Sequence, residues 1–262
     1  MLLLSLILAG STHLNAIEAT PSGADTPVPT PAGQAPPPKI SYSSCHVDGP
    51  YLAMTFDDGP HPVLTPKLLD ILKARGIKAT FFVIGQNAEK YPDIVRRIVA
   101  EGHEIANHTW SHPQLTKIAP GALHDEITKT SEVLADITSH PPTLMRPPYG
   151  ATSPLINQWL SHDLGMKVII WSVDPLDWRY HDSARVQSTI LAGASPGAII
   201  LSHDIHATTV AAMPETLDRL LAKGFQFVTV SELIAMDKPV AKEAKAQVAG
   251  PGVVPPPSKV PQ

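Results

Sequence analysis

The chain has 262 residues, a formal net charge of −4 and a single cysteine, Cys45. This excludes a disulfide scaffold and a cysteine-based zinc site, and it offers no electrostatic grip on a nucleic-acid backbone. Of the 28 prolines, 13 lie in residues 20–45 and 238–262; setting these stretches and the first 19 residues aside leaves 192 residues, His46 to Asp237, enough for one domain with a full core.

The apolar run over residues 1–9 has the length of a signal h-region and reads as an export signal, cleaved after Ala16 or Ala19, although no Lys or Arg precedes it. Ser11 stands where a bacterial lipoprotein would need its cysteine, so lipidation is not expected. The run falls far short of the roughly 20 apolar residues a spanning helix requires, so no stable membrane span is expected and the mature domain should be soluble. Residues 20–45 read as a Pro-rich linker and 238–262 as a disordered Pro-rich tail, because neither stretch can bury enough apolar surface to offset chain entropy.

Between the tails, short β-rich runs alternate with segments of helical periodicity. Strands are expected at 51–56, 79–84, 104–106, 143–146, 168–173, 198–202 and 226–230. Helices fit 66–75, with Thr65 as N-cap and Pro66 at the first helical position, then 92–101, 120–138, 154–164, 184–192 and 214–223. In the long helix Leu123, Ile127, Thr130, Leu134 and Ile137 form one buried stripe. Gly76, Gly102, Gly165 and Gly224 each stand between a helix and the next strand, a place suited to a left-handed terminus. Repeated β-α units imply a parallel sheet. With about seven strands and no Gly-rich phosphate loop, the expectation is an α/β fold, a distorted, incomplete (β/α) barrel with its chemistry at the C-terminal strand ends.

Five polar clusters follow strands. Thr55-Phe56-Asp57-Asp58-Gly59-Pro60 brings two adjacent carboxylates that can take different jobs, one as metal ligand and one as base; the same residues are also ordinary turn chemistry. In the second cluster His108 and His112 stand at i and i+4, so on a helical turn they would share a face and reach one metal. With a carboxylate from the first cluster they make a two-His, one-carboxylate set that leaves positions open for water and substrate. Arg146-Pro147-Pro148-Tyr149-Gly150 delivers a guanidinium able to hold a neighbouring carboxylate ionised. Asp174-Pro175-Leu176-Asp177-Trp178 ends the fifth strand and Leu201-Ser202-His203-Asp204 the sixth. Paired with Asp177, His203 could be a protonated general acid.

These stretches, TFDDG (55–59), HTWSH (108–112), RPPYG (146–150), DPLDW (174–178) and LSH (201–203), resemble in order the five motifs of the polysaccharide deacetylases, the NodB-like carbohydrate esterases of family four, over about residues 50–235. The resemblance implies a distorted (β/α) barrel over residues 46–237, and the apolar run at the start of the chain implies an exported enzyme, periplasmic, cell-wall associated or secreted. It would remove acetyl groups from an acetylated amino-sugar polymer such as peptidoglycan or chitin. It also implies one divalent metal, commonly Zn2+, with Co2+ or Ni2+ as substitutes. By position it makes Asp57 the catalytic base, oriented by Arg146, and Asp58, His108 and His112 the metal ligands. The Tyr149 backbone N–H would help hold the oxyanion, His203 would be the general acid tuned by Asp177, and Trp178 and Leu201 would line the acetyl pocket. His181 and His206 lie near motif ends without an assigned role. Rival readings are an O-deacetylase acting on acetylated xylan, a catalytically silent carbohydrate-binding relative, and a non-haem iron oxygenase, which would leave Asp57, Arg146 and His203 without a purpose.

Overall fold

The structure, a computed structural model, describes residues 38–239. The expected export signal, residues 20–37 of the expected linker and nearly all of the expected tail lie outside that span. In chain order the elements are β1 (Ser41–Tyr42), β2 (Tyr51–Asp57), α1 (Leu64–Lys73), β3 (Thr80–Val83), α2 (Gly85–Lys90), α3 (Pro92–Ala100), β4 (Glu104–Asn107), α4 (Pro120–Thr138), β5 (Leu144–Met145), α5 (Pro154–His162), β6 (Lys167–Ile169), α6 (Asp177–Tyr180), α7 (Ser183–Gly193), β7 (Ile199–Ile200), α8 (Ala207–Ala222), β8 (Gln226–Phe227) and α9 (Val230–Ala235).

All ladder pairings are parallel, in the order β1-β6-β5-β4-β3-β2-β7, with β8 also on β2. Between β6 and β7 there is no ladder, only a single parallel bridge from Val173 to Ile200, so the ring is an incomplete barrel. Side chains alternate along each strand. From β2, Leu52, Met54 and Phe56 point outward into a core shared with Leu68, Leu69 and Leu72 of α1 and Met213, Leu217 and Leu220 of α8. Ala53 points inward with Phe82 of β3, Ile169 of β6 and Val230 and Leu233 of α9. The same alternation turns Thr55 and Asp57 inward, at the C-terminal end of β2.

Five departures from the sequence reading have physical causes. The linker expected over 20–45 overlaps the fold: Ser41 and Tyr42 pair with Val168 and Ile169, and Cys45 N–H donates to Gly197 O at 2.9 Å, so this segment closes the seam beside β7. Tail residue Lys238 likewise donates its N–H to His46 O. Thr65 is not an N-cap; α1 starts at Leu64 after Val63, and the Thr65 hydroxyl accepts from His61 N–H and donates to buried Asp204. The last long helix begins at residue 207 rather than 214, with Pro214 inside it, because burial of Thr209, Val210, Ala212 and Met213 outweighs the one backbone bond a proline removes. The strand expected over 226–230 ends at Phe227, and Thr229 instead caps α9 through a reciprocal bond pair with Glu232. The four inter-element glycines do adopt positive φ, from 64° to 86°.

The seam gives a stability test. A chain beginning at Lys39 keeps Tyr42 and Cys45 in the core, whereas one beginning at His46 exposes their contacts. Urea unfolding should find the second less stable by about 3 kcal/mol or more, the worth of burying two side chains of this size. Equal midpoints would show that residues 39–45 contribute nothing to the barrel.

Candidate active site

Asp57, Asp58, His108, His112, Tyr149, Trp178, Leu201 and His203 line one cavity of about 420 Å³ at the C-terminal ends of the strands, together with Pro147, Trp171 and Asp174. Arg146 and Asp177, the other two residues expected at the site, lie behind its wall and are fully buried. The structure therefore brings all ten expected positions to one place. Trp171 and Asp174 are additions. Trp171 was hidden inside an expected strand, and Asp174 stood in the fifth-strand cluster without a role.

Arg146 stands at the end of β5. Its Nη1 donates to Asp57 Oδ1 at 2.6 Å and to Thr55 Oγ1 at 2.7 Å, its Nε to Ile169 O at 3.3 Å and its Nη2 to Ile170 O at 3.1 Å. The guanidinium lies over the Phe82 ring, 4.0 Å from its centroid. Burial lowers the Arg146 pKa while the Asp57 carboxylate opposes that, and a guanidinium remains charged in either case. The Arg146 carbonyl accepts from His108 Nδ1 at 2.7 Å. Because a carbonyl can only accept, this bond places the His108 proton on Nδ1 and leaves Nε2 with a lone pair aimed into the cavity.

His108 Nε2 lies 3.4 Å and His112 Nε2 3.3 Å from Asp58 Oδ1. Asp58 Oδ1 is buried without a hydrogen-bond partner, and the ligand atoms of the three residues lie within 4.8 Å of one another. A buried carboxylate oxygen facing the lone pair of His108 Nε2, with no proton between them, is a repulsive arrangement that a cation turns into coordination. The residues fit a divalent metal. Burial pushes the Asp58 carboxyl up; with protons on the rings, His108, His203 and His112 outweigh it and take the pKa down to about 2, and a cation bound between neutral rings would supply that positive charge instead. Burial lowers the His112 pKa, which favours the neutral, ligating form.

One expectation about this set is corrected: His108 and His112 do not share a helical turn. Residues 108–112 form a loop in which Thr109 and His112 have φ of 68° and 63°. The i,i+4 spacing brings the rings together, with centroids 5.0 Å apart, because the loop folds back and not because a helix repeats.

Across the cavity, Asp177 is the anchor of His203. Its Oδ1 binds His203 Nδ1 at 2.8 Å, and its Oδ2 accepts from His203 N–H and Thr209 Oγ1, each at 2.8 Å. Burial alone would lower the His203 pKa; the Asp177 bond and charge, helped by Asp57 and Asp58, raise it to about 9. Asp177 moves the other way: burial raises its pKa, and His203 more than reverses that. His181 and His206 pack edge-to-face with ring centroids 4.7 Å apart, and His206 lies 5.9 Å from His203, which places the unassigned pair beside the site. Tyr149, at φ 61°, packs edge-on against His112 at 4.8 Å. Asp204 lies against Gly59, fully buried with Oδ1 unpartnered, and burial raises its carboxyl to about 7.

An incomplete parallel barrel with two histidines and a carboxylate gathered at its C-terminal mouth belongs to the class of α/β enzymes whose site can hold a metal, a class that includes both hydrolases and oxygenases. The comparisons with known proteins narrow it. The family profile described as "Polysaccharide deacetylase" matches residues 46–169, which contain the first three clusters but not those at 174–178 and 201–203. A peptidoglycan-N-acetylglucosamine deacetylase of Listeria monocytogenes is 44% identical over 192 residues, 73% of this chain and 40% of the Listeria protein, so the chain spans well under half of that relative. A chitooligosaccharide deacetylase of Bradyrhizobium is 43% identical over 58% of this chain and 69% of its own length. The crystal structure of the Bc1960 peptidoglycan N-acetylglucosamine deacetylase superposes with a TM-score of 0.73 and 36% identity, over 77% of this chain and 96% of that one. The chain belongs to the polysaccharide deacetylase family, whose members are metal-dependent.

Two measurements test these electrostatics without substrate. In an NMR titration the His203 imidazole should lose its proton well above the usual histidine range, and Asp177→Asn should move that midpoint to lower pH; an unchanged midpoint would show that Asp177 does not set it. Asp204 carries a carboxyl that is raised in the folded chain and ordinary in the unfolded one. Its penalty is therefore absent in acid and grows as pH climbs from about 4 to about 7, after which it is constant. Asp204→Asn should flatten the thermal midpoint over that window.

Proposed function

We propose that this chain hydrolyses N-acetyl groups on N-acetylglucosamine residues of a cell-wall or chitin-like polysaccharide, releasing acetate and a free amine. The observation that carries the reading is a pairing across one cavity. Asp57, held by Arg146, faces the metal-binding set from one side, and His203, held by Asp177, faces it from the other. A hydrolase needs a base and an acid at the scissile bond; Arg146 fixes the Asp57 carboxylate in place, and Asp177 favours the protonated form of His203.

A divalent metal on Asp58, His108 and His112, with Zn2+ best matched to two imidazoles and one carboxylate and Co2+ or Ni2+ as substitutes, would supply Lewis-acid polarisation of the acetyl carbonyl and of water. The chain's own residues do the rest. Asp57 takes a proton from the attacking water as its oxygen bonds to the carbonyl carbon. Arg146 keeps the free Asp57 oxygen oriented by occupying the other. The Tyr149 N–H helps hold the developing oxyanion. As the C–N bond breaks, His203 Nε2 passes its proton to the departing nitrogen, while Asp177 retains the Nδ1 side. Trp178 and Leu201 enclose the acetyl methyl. The expected export signal, the expected Pro-rich linker and a 46–237 domain, widened to include residues 39–45 and 238, fit an enzyme that works outside the cytoplasm, where such polymers lie. Among the described residues no helix is long and apolar enough to cross a membrane.

The test is to measure acetate and free amine released from peptidoglycan, chitin oligomers and acetylxylan, with metal content determined in parallel. Asp58→Asn and His112→Ala should lose metal and turnover together, whereas Asp57→Asn should keep its metal and lose about 10²- to 10⁴-fold in rate. A metal-free Asp57→Asn beside a loaded Asp58→Asn would reverse the two assignments. Acetate from acetylxylan with no amine from either amino-sugar polymer would make the chain an esterase.

A further inference from the structure

We propose that Glu126 of α4 is a positioning residue for metal binding: it clamps the loop that presents His108 and His112. The inference rests on the reading of Asp58, His108 and His112 as metal ligands. It begins from the backbone of residues 108–112, which belongs to no helix or strand and must find its hydrogen bonds elsewhere.

Every N–H of that loop has a partner within the chain. His108 donates to Val83 O at 3.0 Å, Thr109 to Asn107 Oδ1 at 2.8 Å and His112 to Thr109 Oγ1 at 3.0 Å. The two N–H groups at the crown of the loop, those of Trp110 and Ser111, both donate to Glu126 Oε2 at 2.8 Å, and the Ser111 hydroxyl donates to Glu126 Oε1 at 2.7 Å. Both carboxylate oxygens are thus committed to the loop, so Glu126 is not itself a ligand. From the opposite side Gly85 and Gln86, at the start of α2, donate to the carbonyls of Thr109 and Trp110 at 2.9 and 3.1 Å. The loop is gripped between α2 and α4.

This grip matters because Thr109 and His112 occupy the left-handed region, which residues bearing a Cβ seldom adopt and leave when unrestrained. Without Glu126 two adjacent amides would turn to water, and the His112 ring, directly downstream, would lose its fixed distance to Asp58 and His108. Residues one step behind the ligands commonly govern metal affinity by tenfold to a hundredfold. Glu126 holds backbone rather than an imidazole, so its effect should fall on how well the metal is held and not on the chemical step.

The experiment measures Zn2+ and Co2+ affinity by chelator competition, together with the thermal midpoint of the metal-free protein, for the parent chain, Glu126→Ala, Glu126→Gln and the control Asp125→Asn on the same exposed helix turn. The expected result is a tenfold to hundredfold weaker affinity in Glu126→Ala, a smaller loss in Glu126→Gln, whose amide oxygen can still accept, and none in Asp125→Asn, with metal-free midpoints close to the parent's. Saturating metal should then restore turnover in Glu126→Ala with an unchanged KM. Parent-like affinity in both Glu126 variants overturns the proposal, as does a fall in the metal-free midpoint with the affinity of the folded fraction unchanged. If Glu126→Ala does not fold, Glu126→Gln decides by the same two readouts. A parent chain that binds neither metal refutes the ligand assignment itself, which is a separate result.

Discussion

The guanidinium of Arg146 ties the site to the barrel. Its side chain reaches Thr55 and Asp57 on β2 and the carbonyls of Ile169 and Ile170 at the end of β6, while its own carbonyl fixes the proton of His108. One residue therefore orients the proposed base and one proposed metal ligand and also links strands on opposite sides of the ring. A buried cation is stable only where its donors are satisfied, and here the Asp57 carboxylate neutralises it while three neutral oxygens and the Phe82 face take the rest. The arrangement is mutual: loss of Asp57 would leave an unpaired charge at the centre of the barrel, so the carboxylate proposed as the base is also one the fold needs.

Backbone strain follows the same geography. Among the described residues, seven without a glycine's freedom have positive φ, and six of them (Asp58, Thr109, His112, Tyr149, Leu176 and His181) lie in the loops at the cavity mouth. At about 1 kcal/mol or more each, these conformations persist only because the surroundings hold them. Asp58 turns off the end of β2 at φ 73°, yet its Oδ1 and Asp57 Oδ2 come within 3.4 and 3.8 Å of the same His108 Nε2, so the two adjacent carboxylates are told apart by their other partners, Arg146 for Asp57 and His112 for Asp58. Leu176 and His181 bracket the single turn of α6 that carries Asp177.

The parallel strands were legible because strands buried on both faces read as short apolar runs, and the glycines between helices and strands marked the repeats. The convergence of the motifs at strand ends was legible for the same reason. What escaped depended on distant partners. Ser41 and Tyr42 form a strand only because β6 and the seam beside β7 are there to receive them, and two residues beside a Pro-rich stretch carry no periodicity of their own. The spacing of His108 and His112 suited a helical turn equally well, since nothing local shows that Gly85, Gln86 and Glu126 will capture the intervening backbone. Glu126 itself looked like part of a solvated helix face next to the legible stripe of Leu123, Ile127, Thr130 and Leu134. Thr65 had the right neighbours for a cap and was drawn instead to Asp204, 139 residues away.

Closure of the seam by residues 39–45 also decides how the domain can be carried. Lys39 pairs with Asp237 at 2.9 Å, and Lys238 bonds back to His46, so the two ends of the described chain meet. They meet at the N-terminal ends of the strands, the face of the barrel opposite the cavity. A module with entrance and exit side by side and its working face turned away can be inserted into, or appended to, a longer polypeptide without a change in any of its internal contacts. Only the two flanking connections need be remade. That layout suits a unit matching 40% of the Listeria protein's length.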